Sequence, residues 1–319
     1  MARRLAAVLA VLVWSSLTCP ARAEDTQEAP SLAPQVPDSR PRPWLGLDAT
    51  LAIGGWQIAL LGTVNLGVYA PLHRSASMAF QRTSLGGGLA LEVCPGYVTA
   101  GPRLFVSPID VFSLTVEAAG MTGFHQYAGF LPYEQVGGKL DAERRDREDQ
   151  AVPFGQAFRL RVQPVVQVKV GPVVALYSLA YERLAVRPPE DLDLGLFPYV
   201  YYARRDLVVR WRGDDVFEHQ AVVAGEPLNG KKGPLLRAGA TVRHRQALGS
   251  GDASTVLGGI VQFRPSPRHG WPTLTVMLLP YLRDADRAAP DSVPPQANLL
   301  VALRWQEDVP LASAVDPGR

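Results

Sequence analysis

The fold is decided by residues 158–170, which read FRLRVQPVVQVKV. From Phe158 to Val170 every second residue is apolar or proline, while the residues between them are mostly Arg, Gln and Lys. Strict alternation over this length predicts a β-strand with one apolar and one polar face. At about 3.3 Å per residue the strand is long enough to cross a membrane at a tilt, whereas strands of globular proteins average about five or six residues.

The same alternation recurs along most of the chain. It predicts strands near 45–53, 56–68, 84–94, 97–106, 111–122, 158–170, 173–185, 198–211, 216–224, 236–245, 254–264, 274–282 and 299–305. That is 13 segments. Because bacterial membrane barrels have an even number of strands, we expect about 12 and one wrong boundary. The predicted fold is all-β, an antiparallel up-and-down transmembrane β-barrel.

The segments between the strands fall into two classes. Short turn signals lie at 95–96, 171–172, 213–215 and 249–252, and longer polar loops are predicted near 124–155, 187–197, 226–234 and 284–297. Short turns and long loops together are typical of a barrel with a periplasmic rim and an external rim. The glycines at 86–88 lie within a strand and predict a bend or close packing in the wall.

The first 23 residues have the features of a secretory signal peptide. Arg3 and Arg4 precede a short apolar run, and a small-residue cleavage site ends at Ala23. Residues 24–43 are polar and rich in proline, which predicts a linker. We therefore expect a signal peptide at 1–23, a linker at 24–43, a barrel at 44–305 and a polar C-terminal tail at 306–319.

Composition excludes several classes of function once the signal is removed. The 319-residue chain has a formal charge of +2, but cleavage leaves 29 basic and 30 acidic residues, a charge of −1. Nothing in this balance favours nucleic-acid binding. Cleavage also removes Cys19, so that Cys94 has no partner for a disulfide or a cysteine-based zinc site.

Alternation alone does not tell a membrane barrel from a soluble one, whose apolar faces point inward. Three features favour lipid outside: long strands, charged residues stacked on polar faces, and aromatic residues near strand ends. We predict an interfacial aromatic girdle made of Trp44, Tyr97, Tyr177, Tyr181, Tyr199, Tyr201, Trp211, Trp271, Tyr281 and Trp305.

In this pattern the chain resembles bacterial outer-membrane β-barrel proteins as a general class. The resemblance covers the signal and nearly all of residues 45–305. It implies a location in the outer membrane, with outer-membrane lipid and the barrel-assembly machinery as partners. Such proteins commonly end on an aromatic residue of the last strand, whereas here Gln306 to Arg319 follow Trp305.

The candidate binding site is a basic inner face. Arg159, Arg161 and Lys169 share one face of their strand, and Arg237, Arg243 and Arg245 share one face of theirs. Lining one lumen, they would favour anions. The alternative, which we prefer, is that acids of neighbouring strands such as Glu92, Glu117 or Glu182 pair with them and close the lumen.

Other candidate sites have weaker support. The mixed charges of residues 141–149 are typical of a solvated external loop, and their spacing does not match a calcium site. His73 and Ser75 match the His-x-Ser pair of outer-membrane lipid A deacylases, but no orienting acid can be named. The remaining histidines lack metal-ligand spacing, so no metal or cofactor is predicted.

The sequence therefore predicts a non-enzymatic outer-membrane barrel, either a structural wall protein or a small passive pore. Two alternatives stay open. The first is a lipid-modifying enzyme of the outer membrane that uses His73 and Ser75. The second is a soluble periplasmic β-sandwich or ligand-binding barrel.

Overall fold

The computed structural model describes residues 43–54, 59–72, 83–94, 97–124, 131–134, 136, 154–188, 190, 192–202, 207–230, 233–264, 272–283 and 297–310. Within these ranges no helix is long and apolar enough to cross a membrane. The strands are β1 (Trp44–Gly54), β2 (Ala59–Pro71), β3 (Ser84–Cys94), β4 (Tyr97–Ile109), β5 (Phe112–Phe124), β6 (Leu131–Tyr133), β7 (Phe154–Val170), β8 (Val173–Arg187), β9 (Tyr199–Tyr202), β10 (Leu207–Arg210), β11 (Asp214–Gly230), β12 (Gly233–Ala247), β13 (Ala253–Phe263), β14 (Thr273–Arg283) and β15 (Ala297–Pro310).

Twelve of these strands form a closed antiparallel barrel in the order β1-β15-β14-β13-β12-β11-β8-β7-β5-β4-β3-β2. Each wall strand pairs with the wall strands before and after it in the chain, which is an up-and-down topology. The barrel closes where β1 pairs with β15, from Trp44 opposite Pro310 to Gly54 opposite Leu300. The predicted fold class and the expected number of about 12 strands are therefore confirmed.

The remaining three strands form a small separate sheet in the order β10-β9-β6. The segment 198–211, predicted as a strand of the wall, is instead the β9–β10 hairpin. This segment is the one that raised the predicted number of wall strands from 12 to 13. The residues of β9 and β10 are apolar and aromatic because they pack inside the barrel, and local alternation does not distinguish such a hairpin from a wall strand.

The two ends of the barrel differ in their connections. One end, called here the loop end, carries the connections 125–153, 188–213 and 284–296 together with the short connections 95–96 and 248–252. The other, the terminal end, carries the start of β1 and the end of β15, with the turn at 171–172. An even number of strands places the beginning and end of the wall at the same end.

Two predicted connections are wrong. Residues 226–234, expected to form a long loop, belong almost entirely to β11 and β12, and Pro227 lies in a bulge where the register shifts between Gly225 and Leu228. The turn signal at 213–215 is not a turn between wall strands but the start of β11 after the hairpin. Arg212, with φ of 62°, and Gly213 make that change of direction.

The last strand is longer than predicted. β15 continues to Pro310, five residues past the expected end of the barrel at Trp305. Residues Gln306, Glu307 and Asp308 pair with β1 although all three are polar. Because both faces of a strand can be polar at a barrel rim, apolar alternation stops before hydrogen bonding does. The signal peptide, the linker, the 141–149 segment and residues 311–319 lie outside the described residues.

The wall is closely packed beneath Tyr69. This ring lies inside the barrel against Gly46, Gly67 and Gly86, on three adjacent strands. A Cβ at Gly86 would lie 2.2 Å from Cδ1 of Tyr69. The predicted role of the glycines at 86–88 in close packing is therefore found at Gly86, where any larger residue would displace the ring.

Candidate functional site in the barrel lumen

The wall has opposite polarity on its two faces, and the apolar face points outward. Twenty large apolar or aromatic side chains of the described wall strands are exposed on this outer face: Ile53, Leu66, Val68, Leu85, Leu89, Leu104, Phe158, Leu160, Val166, Val168, Val170, Val173, Tyr177, Val223, Leu228, Val242, Leu257, Val261, Phe263 and Leu278. A soluble barrel has the reverse arrangement, with its apolar residues inside. The exposed face is the one that lipid covers in a membrane barrel.

The inner face carries the buried polar groups. Its members include Thr63, Glu92, Thr99, Arg159, Arg161, Ser178, Glu182, Asp214, Glu218, Gln220, Glu226, Thr241, Arg243, Arg245 and Thr275. Buried charges are tolerated in protein only when paired or hydrogen-bonded. The question for function is therefore which acid meets which base.

All six predicted basic residues lie on the inner face, but they form two groups at different heights. Four of them, Arg159, Arg161, Arg243 and Arg245, lie in the half of the barrel nearer the loop end. Lys169 and Arg237 lie near the terminal end, where both contact Glu226. The six residues therefore do not form one continuous basic ring.

Glutamates of neighbouring strands lie beside the group nearer the loop end, and two of its arginines form ion pairs with them. Arg159 forms an ion pair with Glu117 of β5. Arg245 donates from Nε to Oε2 of Glu218 at 2.7 Å, and both side chains are buried. Arg161 lies directly opposite Glu182 in the register of β7 and β8.

Both basic residues of the group at the terminal end contact one carboxylate. Glu226 accepts a hydrogen bond from Nε of Arg237 at 2.8 Å and another from Nζ of Lys169. Its side chain is fully buried, whereas that of Lys169 is 51% exposed. Across the barrel, Arg304 of β15 makes a two-pronged contact with Asp48 of β1, with Nε donating to Oδ1 at 2.9 Å.

Of the three acids predicted as partners, Glu117 pairs with an arginine. Glu92 accepts a hydrogen bond from the hydroxyl of Tyr97 at 2.6 Å, and Glu182 accepts one from the hydroxyl of Tyr202 at 2.7 Å. Sequence reasoning missed Glu218, Glu226 and Asp48. The sequence did contain a signal for Glu218, because period-two alternation places it on the polar face of its strand, as it places Arg245 on the polar face of the next strand.

The β9–β10 hairpin fills the lumen toward the loop end. Val200, Tyr202, Leu207 and Val209 are 0% exposed and pack with inward residues of the wall such as Leu184. Every second residue of the hairpin strands is apolar or aromatic here because one face of the hairpin packs against the wall. The other face, with Tyr201 and Val208, packs on Tyr133 of β6.

Polar contacts tie the hairpin to the wall. The backbone N–H of Val208 donates to Oδ2 of Asp252 at 2.6 Å, and the hydroxyl of Ser250 donates to the carbonyl of Val208 at 2.5 Å. Asp214, buried at the start of β11, accepts backbone N–H bonds from Arg210 and Gly249, among others. Together with the bond between Tyr202 and Glu182, these contacts hold the hairpin at three places.

The predicted aromatic girdle is only partly present. Tyr177 and Tyr181 lie on the outer face, as a girdle requires. The assignment of Trp44 and Tyr97 to the girdle is wrong, because both side chains point inward. Trp44 stacks on Tyr69 with ring centroids 5.7 Å apart, and the hydroxyl of Tyr97 donates a hydrogen bond to Glu92. Two further members, Tyr201 and Trp211, are buried with the hairpin and the core.

In the described part of the chain, no group of three or more His, Cys, Asp and Glu residues could hold a metal ion. Cys94 is free and buried. His73 and Ser75 lie outside the described residues, as does the 141–149 segment.

The inverted polarity and the closed ring of 12 antiparallel strands decide the class of fold. The fold is that of bacterial outer-membrane β-barrels. No family model matches the sequence. No curated protein matches it either.

Solved structures similar to the chain include domains of autotransporters and a porin. The β domain of the Bordetella autotransporter BrkA is 12% identical, with a TM-score of 0.43, and the match covers 83% of this chain and 98% of that one. The NanC porin is 7% identical, with a TM-score of 0.40 over 81% of this chain and 98% of that one. The translocator domain of autotransporter NalP from Neisseria meningitidis is 9% identical, with a TM-score of 0.39 over 86% and 90%.

Proposed function

We propose that the protein is a non-enzymatic barrel of the bacterial outer membrane whose lumen is closed, so that it acts as a structural wall protein. The observation that carries this proposal is the β9–β10 hairpin, whose side chains at 200, 202, 207 and 209 are completely buried inside the barrel. A diffusion pore needs a continuous water-filled path. The hairpin and the ion pairs of the inner face occupy that path toward the loop end.

The membrane location rests on the outer face and on strand length. The wall strands have 11 to 17 residues, and a tilted membrane-spanning strand needs about 9 to 11. Exposed residues such as Leu104, at 60%, would be costly in water over so large an area. With the predicted export signal, this favours the outer membrane, with its lipid and the barrel-assembly machinery as partners.

A small passive pore is the second candidate, and one observation favours it. Inward side chains between mid-barrel and the terminal end are only partly covered: Lys169 is 51% exposed, Asp48 25% and Arg304 17%. A polar vestibule therefore opens from this end toward the hairpin. Displacement of the hairpin would connect the vestibule to the other side of the membrane.

The enzymatic alternative depends on His73 and Ser75. Replacing Ser75→Ala and analysing lipid A by mass spectrometry tests it directly. A non-enzymatic barrel predicts an unchanged acylation pattern, and loss of a deacylated species on substitution would establish the enzyme instead.

Fractionation tests the location. We expect the protein in the outer-membrane fraction, with a heat-modifiable shift in gel mobility, and we expect protease added to whole cells to cut the 125–153 connection. Recovery in the soluble periplasm would support the soluble ligand-binding barrel. If the protein is embedded in the membrane but protease cuts the loop end only from the periplasmic side, the barrel has the opposite orientation.

A further inference from the structure

Two histidines face each other on the outer surface of the barrel. His219 of β11 lies directly opposite His244 of β12 in the register. Their ring centroids are 6.5 Å apart and the rings are inclined by 37°. Directly opposed residues on antiparallel strands have Cβ atoms about 4.5–5.5 Å apart, which lets two imidazoles reach one ligand.

Hydroxyl groups hold both rings through the same nitrogen. The hydroxyl of Tyr177 lies 2.7 Å from Nδ1 of His219, and that of Thr255 lies 2.9 Å from Nδ1 of His244. When each Nδ1–H donates to its hydroxyl oxygen, each Nε2 carries a lone pair. This is the arrangement of metal-binding histidines, whose second nitrogen is held by an outer hydrogen bond.

The two rings are near the separation that a shared ion needs. Zinc binds imidazole nitrogen at about 2.0–2.1 Å, so a tetrahedral ion holds two ring centroids roughly 5–5.5 Å apart. The observed separation of 6.5 Å is longer, so the two side chains must rotate toward each other to bind one ion. Two imidazoles prefer zinc, copper or nickel to the hard cations calcium and magnesium.

The pair lies where water can complete the coordination. His244 is three residues from the loop end of β12, and the ion pair of Arg183 with Asp215 lies at the same end of the neighbouring strands. Below the pair, toward mid-barrel, the outer face becomes apolar at Val242 and Leu257. The site thus lies at the boundary between the apolar band and the rim.

We propose that His219 and His244 bind one zinc ion through their Nε2 atoms, with water in the remaining coordination positions. Tyr177 and Thr255 are positioning residues that orient the two rings. The ion would link β11 to β12, and binding to the folded barrel alone would stabilise it by mass action. This inference does not depend on whether the lumen conducts.

The test uses the full chain, folded in detergent micelles and titrated with zinc by equilibrium dialysis. We expect one zinc per chain, with affinity at least tenfold weaker in His219→Gln and in His244→Gln. Tyr177→Phe keeps both ligands and is expected to weaken zinc binding by about tenfold. A variant with His73, His125 and His269 all changed to glutamine keeps the proposed site and should bind as the unmodified chain does.

Two further measurements keep the test decisive if a variant folds poorly. Zinc should raise the thermal unfolding temperature of the unmodified chain, and it should protect His219 and His244 from carbethoxylation by diethyl pyrocarbonate. Unchanged zinc affinity in both glutamine variants, or absence of protection, would overturn the proposal. Stabilisation by inorganic phosphate but not by zinc would also overturn it and identify an anion site.

Discussion

The hydroxyl of Tyr202 donates a hydrogen bond to Oε1 of Glu182 at 2.7 Å, and both side chains are buried. Tyr202 belongs to the hairpin and Glu182 to the wall strand β8. This bond therefore fastens the segment that fills the lumen to the barrel that contains it. Its strength bears directly on whether the protein is a closed wall or a pore.

Removing this hydroxyl should loosen the hairpin. Tyr202→Phe leaves a buried carboxylate without one of its donors, which costs about 1–3 kcal/mol. We expect a lower urea midpoint, measured by tryptophan fluorescence in lipid vesicles. Tyr199→Phe, on the same strand, is the matched control, because no hydrogen bond of its hydroxyl is found in the described structure. An equal effect of both substitutions would mean that the bond to Glu182 contributes nothing specific.

A charge on the outer face should destabilise the barrel in lipid. Leu104 lies near the middle of β4 and is 60% exposed. Leu104→Arg should cost about 2–4 kcal/mol of folding free energy in phospholipid vesicles if Leu104 faces the hydrocarbon. The same change at Gln246, near the rim, should cost about 0–1 kcal/mol. A soluble barrel predicts no such difference, since an exposed leucine in water is readily replaced.

Because the wall is closely packed under Tyr69, the stability of the barrel should be sensitive to one methyl group added at Gly86. Gly86→Ala should destabilise the barrel by about 1–3 kcal/mol through overpacking, because its Cβ would meet the ring. Gly120→Ala is the control, since nothing lies within 4 Å of a Cβ there. Equilibrium unfolding of both variants measures the difference. In a Tyr69→Ala background the penalty of Gly86→Ala should disappear, and its persistence would locate the clash elsewhere.

The two cations on Glu226 should contribute unequally. The Arg237 side chain is 13% exposed and that of Lys169 51%, so water weakens the second contact more. Double-mutant cycles with Glu226→Gln should give about 1.5–3 kcal/mol for Arg237→Met and about 1 kcal/mol or less for Lys169→Met. A larger coupling for Lys169 would show that the terminal end is drier than its exposure indicates.

Much of the wall was predictable because period-two alternation depends only on which side chains face each medium. The segment 84–94 has the predicted bounds, and 158–170 differs only in starting at Phe154. The alternation could not show which face points inward. A strand with Arg159 inward and Phe158 outward has the same sequence pattern as one with the two faces exchanged. Only the closed ring, with its outer surface exposed, decides between them.

The features that were missed depend on contacts between distant segments. Strands β9 and β10 have the composition of a wall strand, and their position inside the lumen follows from contacts with Glu182, Asp214 and Asp252. Alternation places the basic residues on shared faces of their strands, but their heights and partners require the register. Glu226 meets Lys169 across 57 positions of sequence, a separation that no local pattern reveals.

Electrical conductance across a planar lipid bilayer tests the closed-lumen account most directly. The full chain, shown to be folded by its heat-modifiable mobility, should give no stepwise currents. A variant in which residues 199–210 are replaced by a glycine–serine linker should fold and conduct in discrete steps, because the hairpin no longer fills the lumen. Stepwise currents from the unmodified chain, equal in size to those of the variant, would contradict the account and establish a passive pore.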